Sequence, residues 1–125
     1  MVWESLASPV HVAQYSDGES GRDWSPMRRV AEALAARDYA PLLFAYKSLE
    51  LFCITFSPAY DGQWGGPGVV LSFDSRRRLF TVYYEGLSKQ DEARYACEEF
   101  EVVRLVDSLV LRMKLTRSGP DDLTR

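Results

Sequence analysis

Histidine is almost missing from this chain: His11 is the only one in 125 residues. That removes the commonest acid–base group and leaves carboxylates and tyrosines for any proton transfer. Cysteine is scarce as well. Cys53 lies inside an apolar run, Cys97 opens an acidic one, and neither belongs to a CxxC pair. There is no zinc-type Cys/His spacing, no HExxH, no GxSxG and no dinucleotide fingerprint, so no metal site and no cofactor are expected. No run approaches the roughly 18 apolar residues of a membrane span. The opening MVWESLASPV lacks a basic stretch followed by an apolar one. A cytoplasmic protein with two reduced thiols is the expectation. No internal repeat interrupts the chain.

What is present is ordinary in amount and organised in placement. Hydrophobic residues are 46% and charged residues 26%, with a net charge of −3 and a mass of 14.2 kDa. One soluble domain over 1–125 accommodates these values, with 1–25 poorly defined and 117–125 a loose tail. The organising stretch is 49–86. LELFCITFSP and VVLSFDSRRRLFTVYYEG are dense in β-branched and aromatic residues, while AYDGQWGGPG between them is nearly all turn formers.

Taken in order, VHVAQY (10–15) alternates weakly and reads as a short edge strand, and SDGESGRD (16–23) reads as a solvated loop. Ser25 is a good helix N-cap and Pro26 suits the first turn. Met27, Val30, Ala31 and Leu34 then recur at helical spacing until Asp38–Pro41 ends the helix. LLFAYK (42–47) fits a first strand or a short helix, and ELFCITF (50–56) fits a central strand apolar on both faces. Residues 69–75 and 79–86 form a hairpin. Val69, Leu71 and Phe73 alternate with Val70, Ser72 and Asp74, and on the return Leu79, Thr81 and Tyr83 alternate with Phe80, Val82 and Tyr84. Its tip, Arg76-Arg77-Arg78, is expected to be solvated. LSKQDEA (87–93) reads as a linker and RYAC (94–97) as a last strand.

From Glu98 two patterns compete. A helix over 98–114 gathers Val102, Val103, Leu105, Val106, Leu109, Val110 and Met113 on one broad face. A strand over 108–116 instead aligns Leu109, Leu111, Met113 and Leu115. Length, and acids at the start with bases at the end, favour the helix. The expected fold is therefore α+β: an antiparallel meander of four to five strands with two main helices on it.

Two features bear on function. The 59–68 loop sets Tyr60, Asp61 and Trp64 among glycines, either folded over the core or presented to a partner. The segment 85–101 holds six acids (Glu85, Asp91, Glu92, Glu98, Glu99, Glu101) against Lys89 and Arg94. Such an excess attracts a basic partner or simply keeps a face soluble.

The WSPMRRVAEAL helix, the GGPGVVLSFDSRRRLFTVYYEG hairpin and the acidic YACEEFE segment together resemble, in type, the small immunity proteins of bacterial polymorphic toxin systems. The resemblance covers about half the chain (in the domain-size sense of) and carries over no residue roles. It implies a non-enzymatic protein that binds a cognate toxin, commonly basic, and occludes its active site, without nucleic acid or membrane as partner. The alternatives are a small-ligand or sensor domain closed by the 59–68 loop, and an enzyme working through carboxylates.

Overall fold

Every connection in the sheet joins spatial neighbours. The computed structural model describes residues 3–15, 23–48, 51–56, 67–86 and 90–123, without the side chains of 48 and 116–123. Among them run β1 (Glu4–Ser5), α1 (Val10–Ala13), α2 (Ser25–Ala35), a 3₁₀ turn (Ala40–Leu42), β2 (Phe44–Ser48), β3 (Leu51–Thr55), β4 (Gly68–Asp74), β5 (Leu79–Glu85), β6 (Glu92–Cys97) and α3 (Glu99–Leu123). The strands form one antiparallel sheet whose spatial order is the chain order, β1 to β6. The architecture is α+β, with six strands where four to five are expected. The additional one is β1, two residues long and far too short to show an alternation.

Directly opposed residues share a face, so the register sorts the side chains. Ile54 faces Val69, Phe52 faces Leu71, and Leu71 faces Val82, all fully buried on the side where the helices pack. Tyr46, Val70, Thr81 and Tyr83 occupy the other side, half-exposed, with Trp3 edge-on to Tyr46 at 4.1 Å. β3 is central and buried on both sides, as its unbroken apolar run predicts.

The segment 10–15 corrects its expectation, being helix and not edge strand. Ser8 Oγ accepts the Val10 amide at 3.3 Å to start the turn. Helical spacing then aims both His11 and Tyr15 at Phe52. Burial of these rings outweighs the strand preference of Val10 and Val12. The start of α2 also shifts by one position. Trp24, and not Ser25, takes the N-cap position, and Asp23 before it accepts the Ser25 amide at 3.1 Å and its hydroxyl at 2.5 Å. The 42–47 ambiguity resolves as strand.

At the far end α3 is a helix, buried through Val102, Val106, Leu109, Val110 and Met113. The strand alternative required Leu111 and Leu115 on the same side as Leu109, and these are 58% and 66% exposed. α3 continues to Leu123, beyond the expected end at 114 and into the segment expected as a loose tail. Once nucleated, a helix gains one backbone bond for each residue it adds.

α2 and α3 lie parallel on the sheet. Arg29 grips Glu99 by two bonds of 2.7 Å, and Arg37 grips Asp107 at 3.0 and 2.8 Å. The sequence separation is 70 in both pairs, which only a parallel pairing allows. Tyr39 adds its hydroxyl to Asp107 at 2.6 Å. Half-exposed pairs of this kind are screened by solvent, so they set orientation more than stability.

The buried stripe of α3 generates a stability prediction. Val106→Asp places an unpaired charge among apolar side chains, costing several kcal/mol of a total of about 5–15 kcal/mol. Exposed Arg104→Asp should leave the urea midpoint within a few tenths of wild type. Equal midpoints for the two variants would contradict the burial of this face.

Candidate functional site at the open edge of the sheet

β6 is the last strand of the meander, and among the described residues no strand pairs with its outer side. Only Glu98 separates it from α3. The helix therefore begins at the edge of the sheet. Its start is a capping box in which Glu101 Oε1 accepts the Glu98 amide at 3.2 Å, while the Glu101 amide returns to the Glu98 carbonyl at 2.9 Å. The turn leaves Phe100 outside the core at 79% exposure. Together with Tyr95, Cys97 and Leu105 it walls a groove of about 540 Å³ between β6 and α3, with Glu101 and Arg104 on its polar side. This groove is invisible in the sequence, because Phe100 and Leu105 there simply extend the apolar pattern of the helix.

The acids of 85–101 do not form one patch. Asp91 pairs with Arg112, whose guanidinium stacks over Tyr84 at 4.5 Å, and Glu99 pairs with Arg29. The Arg29 hydrogen bonds hold the Glu99 carboxyl below its ordinary range. Glu85 and Glu92 stand opposite each other at one end of β6, and Glu98 and Glu101 stand at the other. These four have no ion-pair partner among the described residues. Burial first, and then a bond to the Glu92 carboxylate, raise the Tyr83 hydroxyl above its usual range. Tyr60, Asp61 and Trp64 lie outside the described residues.

Other sequence candidates resolve into structure. At the β4–β5 tip, Asp74 Oδ1 accepts the amides of Arg76 and Arg77, and Arg78 takes a left-handed φ of 58°. Arg78 is not simply solvated. It bonds Asp23 at 3.1 Å and stacks over Phe73 at 5.3 Å, which offsets the backbone strain. His11 donates Nε2–H to the Ser5 carbonyl at 2.9 Å and packs on the helix side of the sheet, whereas Cys53 faces the other side. Burial pushes the Cys53 thiol up to about 11 and raises Cys97 as well, opposite to the shift a thiolate nucleophile needs. Among the described residues no group of three or more His, Cys, Asp or Glu is placed to hold a metal ion. Among the described residues no helix is long and apolar enough to cross a membrane. No family model, curated protein or solved structure matches the chain.

Two predictions follow from the supports of this edge. Gly86 closes the β5–β6 turn by donating to the Asp91 carbonyl at 2.8 Å, and a Cβ on it would meet that carbonyl oxygen at 2.6 Å. Gly86→Ala should destabilise the protein by about 1–3 kcal/mol, because backbone must move to admit the methyl. An unchanged melting temperature would show that the turn does not need this close approach.

The second concerns pH. The Ser25 hydroxyl and amide, and then Arg78, lower the Asp23 carboxyl from an ordinary 3.8 to about 2. A depressed carboxylate stabilises fully above its unfolded value and loses that contribution as pH falls through the folded one. Wild type should therefore lose stability between about pH 4 and 2 that Asp23→Asn does not lose. Denaturation midpoints measured across that window give the comparison, and parallel curves would refute it.

Proposed function

We propose that this chain is a non-enzymatic protein-binding domain with a basic partner, acting as an immunity-type inhibitor that occludes a cognate bacterial toxin. The observation that carries the reading is the edge of the sheet. Among the described residues, four carboxylates without basic partners flank an open strand, and beside it Phe100 stands 79% exposed. Aromatic anchors and a rim of one charge are what a protein interface uses for affinity and for fast encounter. The type of resemblance seen in the sequence leads to the same partner class.

A second reading, a small-ligand domain, draws on the groove volume of about 540 Å³, which lies within the range of ligand pockets. Its polar lining is less suited to that task. Glu101, Arg104 and Ser108 are exposed and do not converge from a buried floor.

The direct test is genetic. The polypeptide encoded immediately upstream is expressed alone and with this chain; growth arrest relieved by co-expression is expected, and absence of rescue would overturn the reading. With that partner in hand, charge reversal gives a kinetic prediction. Glu92→Lys with Glu98→Lys should slow association at low salt by about tenfold or more and flatten its salt dependence. Dissociation should change much less. Glu101→Gln removes the third charge while keeping an acceptor for the capping box. An association rate unaltered in the triple variant would assign these carboxylates to solubility alone.

A further inference from the structure

We propose that the outer side of β6 receives an extended basic strand of the partner, which joins the sheet as an added strand and lodges an apolar side chain in the groove between β6 and α3. The proposal rests on the reading of the chain as a protein-binding domain and specifies how it binds.

The two edges of the sheet differ in how they are guarded. Proteins protect exposed edges by making them short, by placing proline or lysine on them, by bulging them or by covering them. β1 is guarded by its length of two residues. Among the described residues β6 has none of these devices, and its charges are Glu92 and Arg94. It has six residues, EARYAC, paired with β5 in an unbroken register from Glu92 to Cys97, without proline, lysine or bulge. At about 3.3 Å per residue this is a rail about 20 Å long, with alternate backbone N–H and C=O groups directed outward.

The surroundings select the occupant. Tyr95 lies on the helix side of β6, opposite Val82, and is 38% exposed where it lines the groove with Phe100 and Leu105. A residue opposite Tyr95 on an incoming strand would share that face and enter the groove. Carboxylates with no ion-pair partner among the described residues, Glu85 and Glu92 at one end of the rail and Glu98 and Glu101 at the other, favour lysine or arginine at both ends of the added segment.

The same charges oppose a second copy of this chain. Antiparallel pairing of β6 with itself must match faces. The longest overlaps that do so set Arg94 opposite Arg94, or Tyr95 opposite Tyr95 with Glu92 against Glu98. Like charges directly opposed destabilise a strand pair. The added strand is therefore foreign to this chain.

The experiment uses the full chain and a capped heptapeptide, Lys-Val-Thr-Val-Thr-Val-Lys, with amide hydrogen exchange followed residue by residue. In the free protein, every second amide of β6 should exchange fast. At about 1 mM peptide, a concentration that detects even weak binding, those same amides should become at least about tenfold protected. Glutamate in place of both lysines, or Phe100→Ala in the protein, should weaken binding by about tenfold or more, which corresponds to 1.4 kcal/mol. N-methylation of one alternating set of peptide amides should abolish binding, while methylation of the other set is tolerated. Absence of alternate protection in β6 overturns the proposal, as does equal binding of the glutamate peptide. A dimer in sedimentation that dissociates in Phe100→Ala would make a second copy the occupant and overturn it too. Failure here is separable from failure of the functional reading. A toxin neutralised by this chain whose complex leaves the β6 amides unprotected sinks strand addition alone, and a missing rescue sinks the inhibitor reading.

Discussion

The single residue between β6 and α3 governs the geometry of the whole edge. With only Glu98 to turn on, the chain cannot travel before the helix begins, so α3 must start beside the last strand and run back over the sheet. The capping box between Glu98 and Glu101 fixes that start. Val102, Val106 and Val110 then reach the core, while Phe100, within the first turn, is left outside it. A longer connection would have let the helix settle over the middle of the sheet and cover its own first turn. The groove is thus a by-product of a tight junction. Its walls are apolar because the helix beside the edge is amphipathic with a broad stripe.

Around that junction the charges serve two different purposes. Glu99 and Asp107 face α2 and its end, where Arg29 and Arg37 grip them in two-bonded forks. The equal spacing of the two grips holds the helices parallel and in a defined register. Asp91 anchors the β5–β6 turn through Arg112, which also covers the Tyr84 ring. Among the described residues the remaining acids of the segment have no such partner, and they lie at the ends of β6. A fork between arginine and carboxylate specifies geometry at little net gain in energy. An unpaired carboxylate at a rim is instead available for long-range attraction. One acidic stretch of sequence therefore contributes both to internal alignment and to the exterior field.

The N-terminal segment shows how burial decides local conformation. Val10 and Val12 favour extended structure, yet α1 forms because a turn of helix brings His11 and Tyr15 onto Phe52 together. His11 then donates to the Ser5 carbonyl and ties α1 to β1. The only histidine of the chain is accounted for by packing. Arg78 behaves comparably: its left-handed backbone is held by the bond to Asp23 and the stack on Phe73. Asp23 also holds Ser25, the first residue of α2, so hairpin tip and helix start are joined through one carboxylate.

By itself the sequence determined whatever depends on local periodicity. The β4–β5 hairpin, the central position of β3, the body of α2 and the helical nature of α3 all follow from spacings of two or about 3.6 residues, which belong to the chain and need no partner. The α+β class follows from those elements. What only the tertiary structure decided depends on distant neighbours. β1 is two residues long and exists only because β2 lies beside it. The division of six neighbouring acids into paired and unpaired groups depends on where Arg29 and Arg112 arrive from α2 and α3. The open side of β6 depends on the order of strands across the sheet. Sequence periodicity states which face of a strand is buried; it does not state whether another strand lies alongside, because the edge groups are backbone atoms that every residue carries.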